Sequence, residues 1–476
     1  MKPGIRTVTA LIFVLNSPFA AAQWTITVLH PYAVSPYGDS TGTAAYGNKQ
    51  GGQGPDGANS GAMWLGTAES YINLRPSETL GYSYVSAMNE SHQGGVVKVL
   101  VEGSLQEQAA LWNGSGASYI NMNPNGATSS GIAAMSSSQQ GGHAQFGEVV
   151  QAGIWSGTPE SWVSLHPSGA EHSRISAMNE TQQGGSAWFG GVIGATLWSG
   201  TADSWTSLHP AVATSSRVQG MSASRQGGIA IIGGVNHAAL WSGTAASFLD
   251  LHPPGATESE VYGVTEDFAA GSATYAGKRH AVIWRGTPES AVDLHGLVTQ
   301  ALGTDFTVSV IHAATTYGDS THFVGYALSQ SGILQNVAVM WTYTARDFAA
   351  WAQAKFTPEE LADSNLSGPT AVYSQDGLPN LVKFALGLEP KQAITSGLPA
   401  VAVTPTEWTY TYSRPSGVLN VAYEVEISTD LVNWTTEGVV HEMTGATIND
   451  QSWSARYPLD STANIFFRLK ITRTDS

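Results

Sequence analysis

Cysteine is absent from this 476-residue chain. With no thiol there is no disulfide, no thiolate metal site and no cysteine nucleophile. Basic residues are scarce: 20 Lys and Arg stand against 36 Asp and Glu, a formal charge of −16. That balance repels phosphate backbones and anionic lipid, so nucleic acid is not an expected partner. No apolar run reaches the roughly 20 residues of a membrane span. HExxH and a Walker loop are missing, and Gly52-Gln53-Gly54-Pro55-Asp56-Gly57 matches GxGxxG with no helix after it.

What the chain has in abundance is glycine, 53 residues, and a repeat. Trp64, Trp112, Trp155, Trp198, Trp241, Trp284 and Trp341 open variants of one phrase, at intervals of 48, 43, 43, 43, 43 and 57 residues. A period of about 40 to 50 residues with four short strand signals in each unit marks propeller blades. In the fourth copy the pieces are SRISAMN, GGSAWFGG, GATLWSG and SWTSLHP, punctuated by Gly, Ser, Asn and Pro. The chain enters on an LHP piece, WTITVLHP, and leaves the repeat on NVAVMW, a Trp piece with no LHP of its own. Joining the two completes a seventh sheet and removes an unpaired edge. The expected fold is all-β: a seven-bladed propeller of four-stranded blades with a 1+3 closure, the SxVxAM piece innermost and SWTSLHP outermost. The Trp is expected to wedge between blades with its indole N–H on a backbone carbonyl. Gly-Gly after Gln50, Gln93, Gln140, Gln183 and Gln226 is expected to mark the turn into the second strand.

Residues 237 to 264, HAALWSGTAASFLDLHPPGATESEVYGV, resemble the bacterial extracellular repeats of the HAF and WSGTAASWVDLHP type. The resemblance implies a propeller and export, and no particular activity. Residues 1 to 22, with Lys2 and Arg6 ahead of an apolar run and Ala20-Ala21-Ala22, read as a secretory signal. The expected location is secreted or extracellular, with the periplasm or cell surface as alternatives.

After Thr344 the period stops, and the expected divisions are 23–344 propeller, 345–397 helical linker and 398–476 antiparallel β-sandwich. Thr357 followed by Pro358 reads as a helix start, and residues 378 to 388, LPNLVKFALGL, as a further short helix. With the Asp376-Gly377 ahead of it, this stretch resembles the DGLPNLLEYALGLDP module of exported bacterial proteins. That resemblance implies a Ca²⁺ site, for which Asp376 and Asn380 are the matching candidates. Val372, Ser374 and Lys383 depart from its acidic pattern, and a lysine at a ligand position argues against a filled site, so no cofactor is expected. STDLVNW, Ser428 to Trp434, reads as a hairpin turn.

The LHP histidines His30, His166, His209, His252 and His295 fall one per blade on the outer strands, too far apart for one metal and suited to fixing strand ends. Function should lie where the repeat breaks its own symmetry. Asn89, Glu90, Asn179, Glu180, Thr265, Glu266 and Asp267, at the ends of inner strands, are the candidate ligand-binding groups at one channel mouth. Other departures are Tyr46, Lys98, His143, Trp188 and an apparent insertion from Asp319 to Gln335. The leading expectation is a non-enzymatic exported scaffold binding glycan or protein through one face, with the C-terminal module as spacer or attachment unit. A glycan-cleaving enzyme, which needs two carboxylates about 5 to 10 Å apart, and a purely structural surface protein are the alternatives.

Overall fold

The computed structural model describes residues 23–56, 59–77, 81–330, 335–459 and 465–474; the secretory-signal expectation falls outside them. They form two compact units, the first built mainly from Thr25–Pro288 and Asp293–Thr342, the second from Tyr343 onward. Among the described residues no helix is long and apolar enough to cross a membrane.

The first unit is a seven-bladed β-propeller. Its sheets are four-stranded and antiparallel, and blade 4 is representative: Ser173–Met178, Gln183–Phe189, Val192–Trp198 and Thr206–Ser207, hydrogen-bonded in that order. Blade 7 runs Phe306–Tyr317, Ser320–Ser329 and Gln335–Thr344, and takes Gln23–Val28 as its outer strand. The seam closes through Leu29 N–H to Ala338 O (2.8 Å) and Ser40 N–H to Asn336 O (2.9 Å). Most of the apparent insertion from Asp319 to Gln335 is therefore the second strand of blade 7, Ser320–Ser329. The extra length of the seventh unit lies in a helix, His295–Leu302, and in an inner hairpin longer than its counterparts.

The seven repeat tryptophans are fully buried. Trp241, for example, packs with Ala239 of its own blade and with Ala177, Leu197 and Leu208 of the blade before, which makes it the expected wedge. The expected carbonyl partner is absent: none of the seven indole N–H groups has a hydrogen-bond partner. The surrounding carbonyls are committed to the ladders. Burying about 200 Å² of indole is worth ~5 kcal/mol at about 25 cal/mol/Å², which outweighs the ~1–3 kcal/mol of an unmet donor. Four of the rings also lie against the aromatic side chain seven residues on, as Trp155 does against Trp162 at 4.5 Å.

Each LHP histidine fixes the start of the next inner strand. The His209 Nδ1 meets Ser216 Oγ at 2.7 Å, and the same Ser216 Oγ accepts from Ala195 N–H at 2.9 Å. The pattern recurs at His30, His166, His252 and His295. Since the serine accepts from the backbone, its own proton goes to Nδ1, leaving Nε2–H for a loop carbonyl such as Ala170 O (3.0 Å) or Ala256 O (3.0 Å). Asn123 does the same work in amide form: its Oδ1 accepts from Ser130 Oγ (2.6 Å) and its Nδ2 donates to Ala127 O (3.0 Å).

In the second unit, helices Phe348–Lys355, Pro358–Leu361, Ser364–Ser367 and Asn380–Ala385 precede two antiparallel sheets. Thr357 and Glu360 form the capping box that the Thr-Pro-Glu-Glu phrase suggests. The larger sheet orders Ala400–Val403, Glu407–Pro415, Asp450–Pro458 and Val440–Ala446; the smaller pairs Val421–Ser428 with Phe466–Arg473. Tyr410 of one stacks on Phe467 of the other at 5.5 Å, and Val425 and Ile427 are buried on the shared face. Asp430 accepts from Val432 and Asn433 N–H, both at 2.8 Å, which makes Ser428 to Trp434 the expected turn.

Candidate functional site

The inner strands are Thr41–Tyr46, Ser83–Met88, Ser129–Met135, Ser173–Met178, Ser215–Met221, Glu258–Val264 and Phe306–Tyr317. Together they wall a central channel cavity of about 150 Å³. Every one of them carries a β-bulge at the same place. The extra residues are Thr43, Ser86, Ala133, Ser176, Gln219, Tyr262 and His312, and all seven face this cavity wall.

The bulge has a sequence cause. In the second strand of each blade one glycine lies under the carbonyl two residues ahead of the bulge. A Cβ at Gly52, Gly95, Gly142, Gly185, Gly228, Gly271 or Gly325 would come within 1.8 to 2.0 Å of that oxygen. These glycines are the second of each Gly-Gly, or its counterpart, and they open the second strand rather than turn into it. The Gln before them holds the turn after the Trp: Gln183 Oε1 accepts from Gly200 N–H at 2.9 Å.

A bulge frees one ladder carbonyl, and neighbours repair the loss. Thr43 Oγ1 donates to Val85 O and Ser86 Oγ donates to Ile132 O, each from one blade to the next. Around four blades the bulge residue is thus a small Thr, Ser or Ala. Blades 5, 6 and 7 depart with Gln219, Tyr262 and His312. Gln219 Oε1 is buried without a partner. The Tyr262 hydroxyl donates to Glu260 and accepts from Arg279 Nη2 at 2.8 Å, while Arg279 also pairs with Glu260 and reaches Ser272 Oγ at 2.7 Å. Asn236 Nδ2 completes the ring of donors on Glu260 at 2.8 Å. The His312 ring sits 5.2 Å from Tyr262 and 5.5 Å from Tyr326. Burial, with the Arg279 charge adding to it, pushes His312 down to about 4, and burial pushes Tyr262 up to about 12. At neutral pH the wall therefore presents a neutral imidazole, a phenol and an amide.

The seven residues singled out from the sequence lie at the turns after the inner strands, as placed. None of them lines the cavity. Asn89 Nδ2 donates to Ser136 O (2.9 Å) and Asn179 Nδ2 to Ser222 O (3.0 Å), each in the following blade. Glu180 accepts from Ser137 N–H and Oγ at 3.0 and 2.6 Å, and Glu266 from Ala223 N–H and Ser224 Oγ at 2.8 and 2.6 Å, each in the preceding blade. Thr265 Oγ1 accepts from Phe268 N–H at 3.1 Å within its own turn, and Glu90 and Asp267 are exposed.

In the second unit the Lys383 ammonium is fully buried. It pairs with Asp376 Oδ2 at 2.8 Å and donates to Ser374 Oγ and to the carbonyls of Pro390 (3.2 Å) and Gln392 (3.3 Å). Asp376 also accepts from Leu378 and Ile394 N–H, both at 3.0 Å. Although burial opposes it, this company holds the Asp376 carboxyl well below the usual carboxylate range. Asn380 points its amide N–H groups at Leu366 O (2.8 Å) and Gly368 O (3.1 Å). The Ca²⁺ candidates do not fit a resident metal: the charge that a cation would supply is already there as an ammonium. No cluster of three or more His, Asp or Glu suited to a metal occurs among the described residues.

Fold and site together define a seven-bladed propeller with an uncharged, asymmetrically polar channel wall. No protein-family model matches the chain, and no curated protein matches its sequence. Solved structures similar to it are propellers. The β-propeller domain of the Trilobed protease from Pyrococcus furiosus is 8% identical over 63% of this chain and 97% of that one, with a TM-score of 0.38. TolB from Acinetobacter baumannii is 9% identical with a TM-score of 0.32, and the match covers 53% of this chain and 63% of TolB's length. Polysaccharide lyase Uly1 is 9% identical over 65% of this chain and 90% of that one, with a TM-score of 0.35. At these identities the likeness concerns the fold alone.

Proposed function

We propose that the first unit is an exported, non-enzymatic scaffold that binds carbohydrate in its central channel, with the second unit as spacer or attachment module. The observation that carries this reading is the break in symmetry at the bulges. A repeat that holds its wall small in four blades, three of them hydroxylated, places an amide, a phenol and a neutral imidazole side by side in the other three, with one amide oxygen unpartnered. Hydroxyl-rich ligands are met by such groups. A space of about 150 Å³ takes about five waters at ~30 Å³ each or one small polar group, so a longer ligand extends out of the mouth.

The cleaving alternative has less support. The cavity wall contains no Asp or Glu, and Glu260 beside it is engaged by Arg279, Tyr262 and Asn236. A glycan array probed with the full chain, followed by calorimetry on the hits, tests the proposal. Gln219→Ala and His312→Ala should each weaken the hit about tenfold, the scale of one lost hydrogen bond in a dry site, with unchanged melting. Binding that ignores both substitutions, or release of shortened sugars during the assay, would overturn the reading.

A further inference from the structure

Two residues ahead of each bulge, toward the start of the inner strands, lies a second ring of equivalent positions: Thr41, Tyr84, Gly131, Arg174, Arg217, Glu260 and Val310. Its charge is uneven. Glu260 is neutralised by Arg279. Arg174 and Arg217, in adjacent blades, are both exposed. The hydrogen bond of Arg174 runs from Nη1 to His143 Nε2 at 3.2 Å. Burial, with the Arg174 charge adding to it, pushes His143 down to about 3, so this partner is neutral and leaves the guanidinium charge in place. Among the described residues the Arg217 side chain has no hydrogen bond or ion pair. In a chain of charge −16, two adjacent arginines without a carboxylate bonded to either make a local reversal of sign.

Beside them is an aromatic platform. Tyr82 and Tyr84 project from one face of the blade 2 inner strand with ring centroids 6.2 Å apart and planes 23° from parallel. The Tyr82 hydroxyl donates to Glu107, and the Lys98 ammonium stands 5.1 Å from the Tyr82 ring. Blade 3 contributes a gap: its residue in this ring is Gly131, where a Cβ would come within 3.1 Å of His143 Cε1. Burial pushes the Tyr84 phenol up, and the Arg174 charge in blade 4 reaches it across blade 3 and opposes that shift. The Glu107 carboxylate, bonded to Tyr82, also acts on Tyr84 and Arg174.

From this juxtaposition we infer that the mouth formed by blades 2 to 5 binds an acidic carbohydrate, a uronate, with Arg174 and Arg217 on its carboxylate and Tyr84 under its ring. The guanidinium fork matches a planar carboxylate in two parallel hydrogen bonds, and tyrosine faces accept the apolar face of a sugar. The inference rests on the carbohydrate reading of the channel and adds the sign of the ligand.

The test uses the full chain with trimers of galacturonate, glucuronate and mannuronate beside their methyl esters, which keep the sugar and remove the charge. At least one acidic trimer should bind ten times or more tighter than its ester. Arg174→Gln together with Arg217→Gln should abolish that difference, and Arg174→Lys alone should keep only part of it. Because Arg174 is exposed, its variants should melt with the wild type, and that control separates lost binding from lost folding. Equal affinity for acid and ester, or a variant with both Arg174→Gln and Arg217→Gln that still prefers the acid, overturns the anionic inference and leaves the carbohydrate reading standing. Failure of every trimer and every ester overturns the anionic inference, and silence on the glycan array as well overturns the carbohydrate reading beneath it.

Discussion

Replacing Gly142 by alanine should break blade 3 in a way that replacing its neighbour Gly141 does not. Both residues sit in the same strand and neither has positive φ, so backbone dihedral preference is not at issue. The difference is what a methyl would strike. At position 142 the Cβ falls 2.0 Å from Gly131 O and 3.0 Å from Gly131 C, which are backbone atoms held by the inner-strand ladder. Carbon and oxygen normally approach to about 3.3 Å or more, so the inner strand must move by over ~1 Å and the bulge at Ala133 flattens. At position 141 the nearest atoms are Ile175 Cγ2 at 3.0 Å and Met178 Sδ at 3.1 Å, the ends of side chains that can turn aside. Gly142→Ala should therefore cost ~3 kcal/mol or more and Gly141→Ala ~1 kcal/mol, within the range seen for overpacking. At about 2 °C per kcal/mol for a unit of this size, the two melting points should differ by roughly 4 °C or more in a calorimetric scan. Equal melting of the two variants would show that the bulge is not held by this close approach.

Three further outcomes follow from the same geometry. Lys383→Ala should destabilise the second unit by ~3–5 kcal/mol in denaturant titration, because it strands the buried Asp376 charge, whereas the paired change to Met and Leu at 383 and 376 should recover most of the loss. His209→Asn should be nearly neutral, as Asn123 demonstrates in its own blade, while His209→Ala should cost ~1–2 kcal/mol for the broken relay; equal losses would refute the equivalence. Burial lowers the ordinary values of His30, His166, His209, His252 and His295 in the folded chain. The unfolded state then binds more protons, so stability should be level above about pH 7.5 and fall as pH drops through about 6.5. A propeller whose urea midpoint holds from pH 7.5 to 5.5 would contradict the neutral relays.

The blades were legible because a short sheet that must bury both faces repeats its apolar residues at fixed intervals, and the Trp and LHP phrases survive in nearly every copy. Within blade 7 the stretch from Asp319 to Gln335 reads as an insertion because the third strand is recognisable but the first two are not. Val324 stands where blades 1 to 5 have the first glycine, and Gly42 in blade 1 makes room for it, with a Cβ there 2.4 Å from Val324 Cγ1. The exchange preserves packing and erases the phrase. Asn123 hid a working relay for a similar reason, since an amide and an imidazole share donors and acceptors but not a letter. The channel wall escaped because alternation assigns Gln219, Tyr262 and His312 to a face only if no residue is inserted, and each bulge inserts one. Polarity then drew attention to the turn residues Asn89, Asn179, Glu180 and Glu266, whose polar atoms bond across blades.

The bulge also explains how a repeat this regular can carry a site. An unbulged inner strand sends alternate side chains into the two interblade cores, where Val218 packs against Leu197 and Leu208 and has no freedom to change. The residue inserted at the bulge belongs to neither core. Its carbonyl environment is set by the glycine opposite, its neighbours by the strands on either side, and only its side chain is left to face the axis. Seven positions are thereby released from packing while their place in the wall is kept to within the tolerance of the backbone. Ala133, where the position is filled by a methyl, is the natural site to show it: Ala133→Gln should change the stability by no more than ~0.5 kcal/mol, the usual range for a residue outside the core. The same change at Ile132, whose side chain is 1% exposed and packs with Trp155 between blades 2 and 3, should cost ~3 kcal/mol or more.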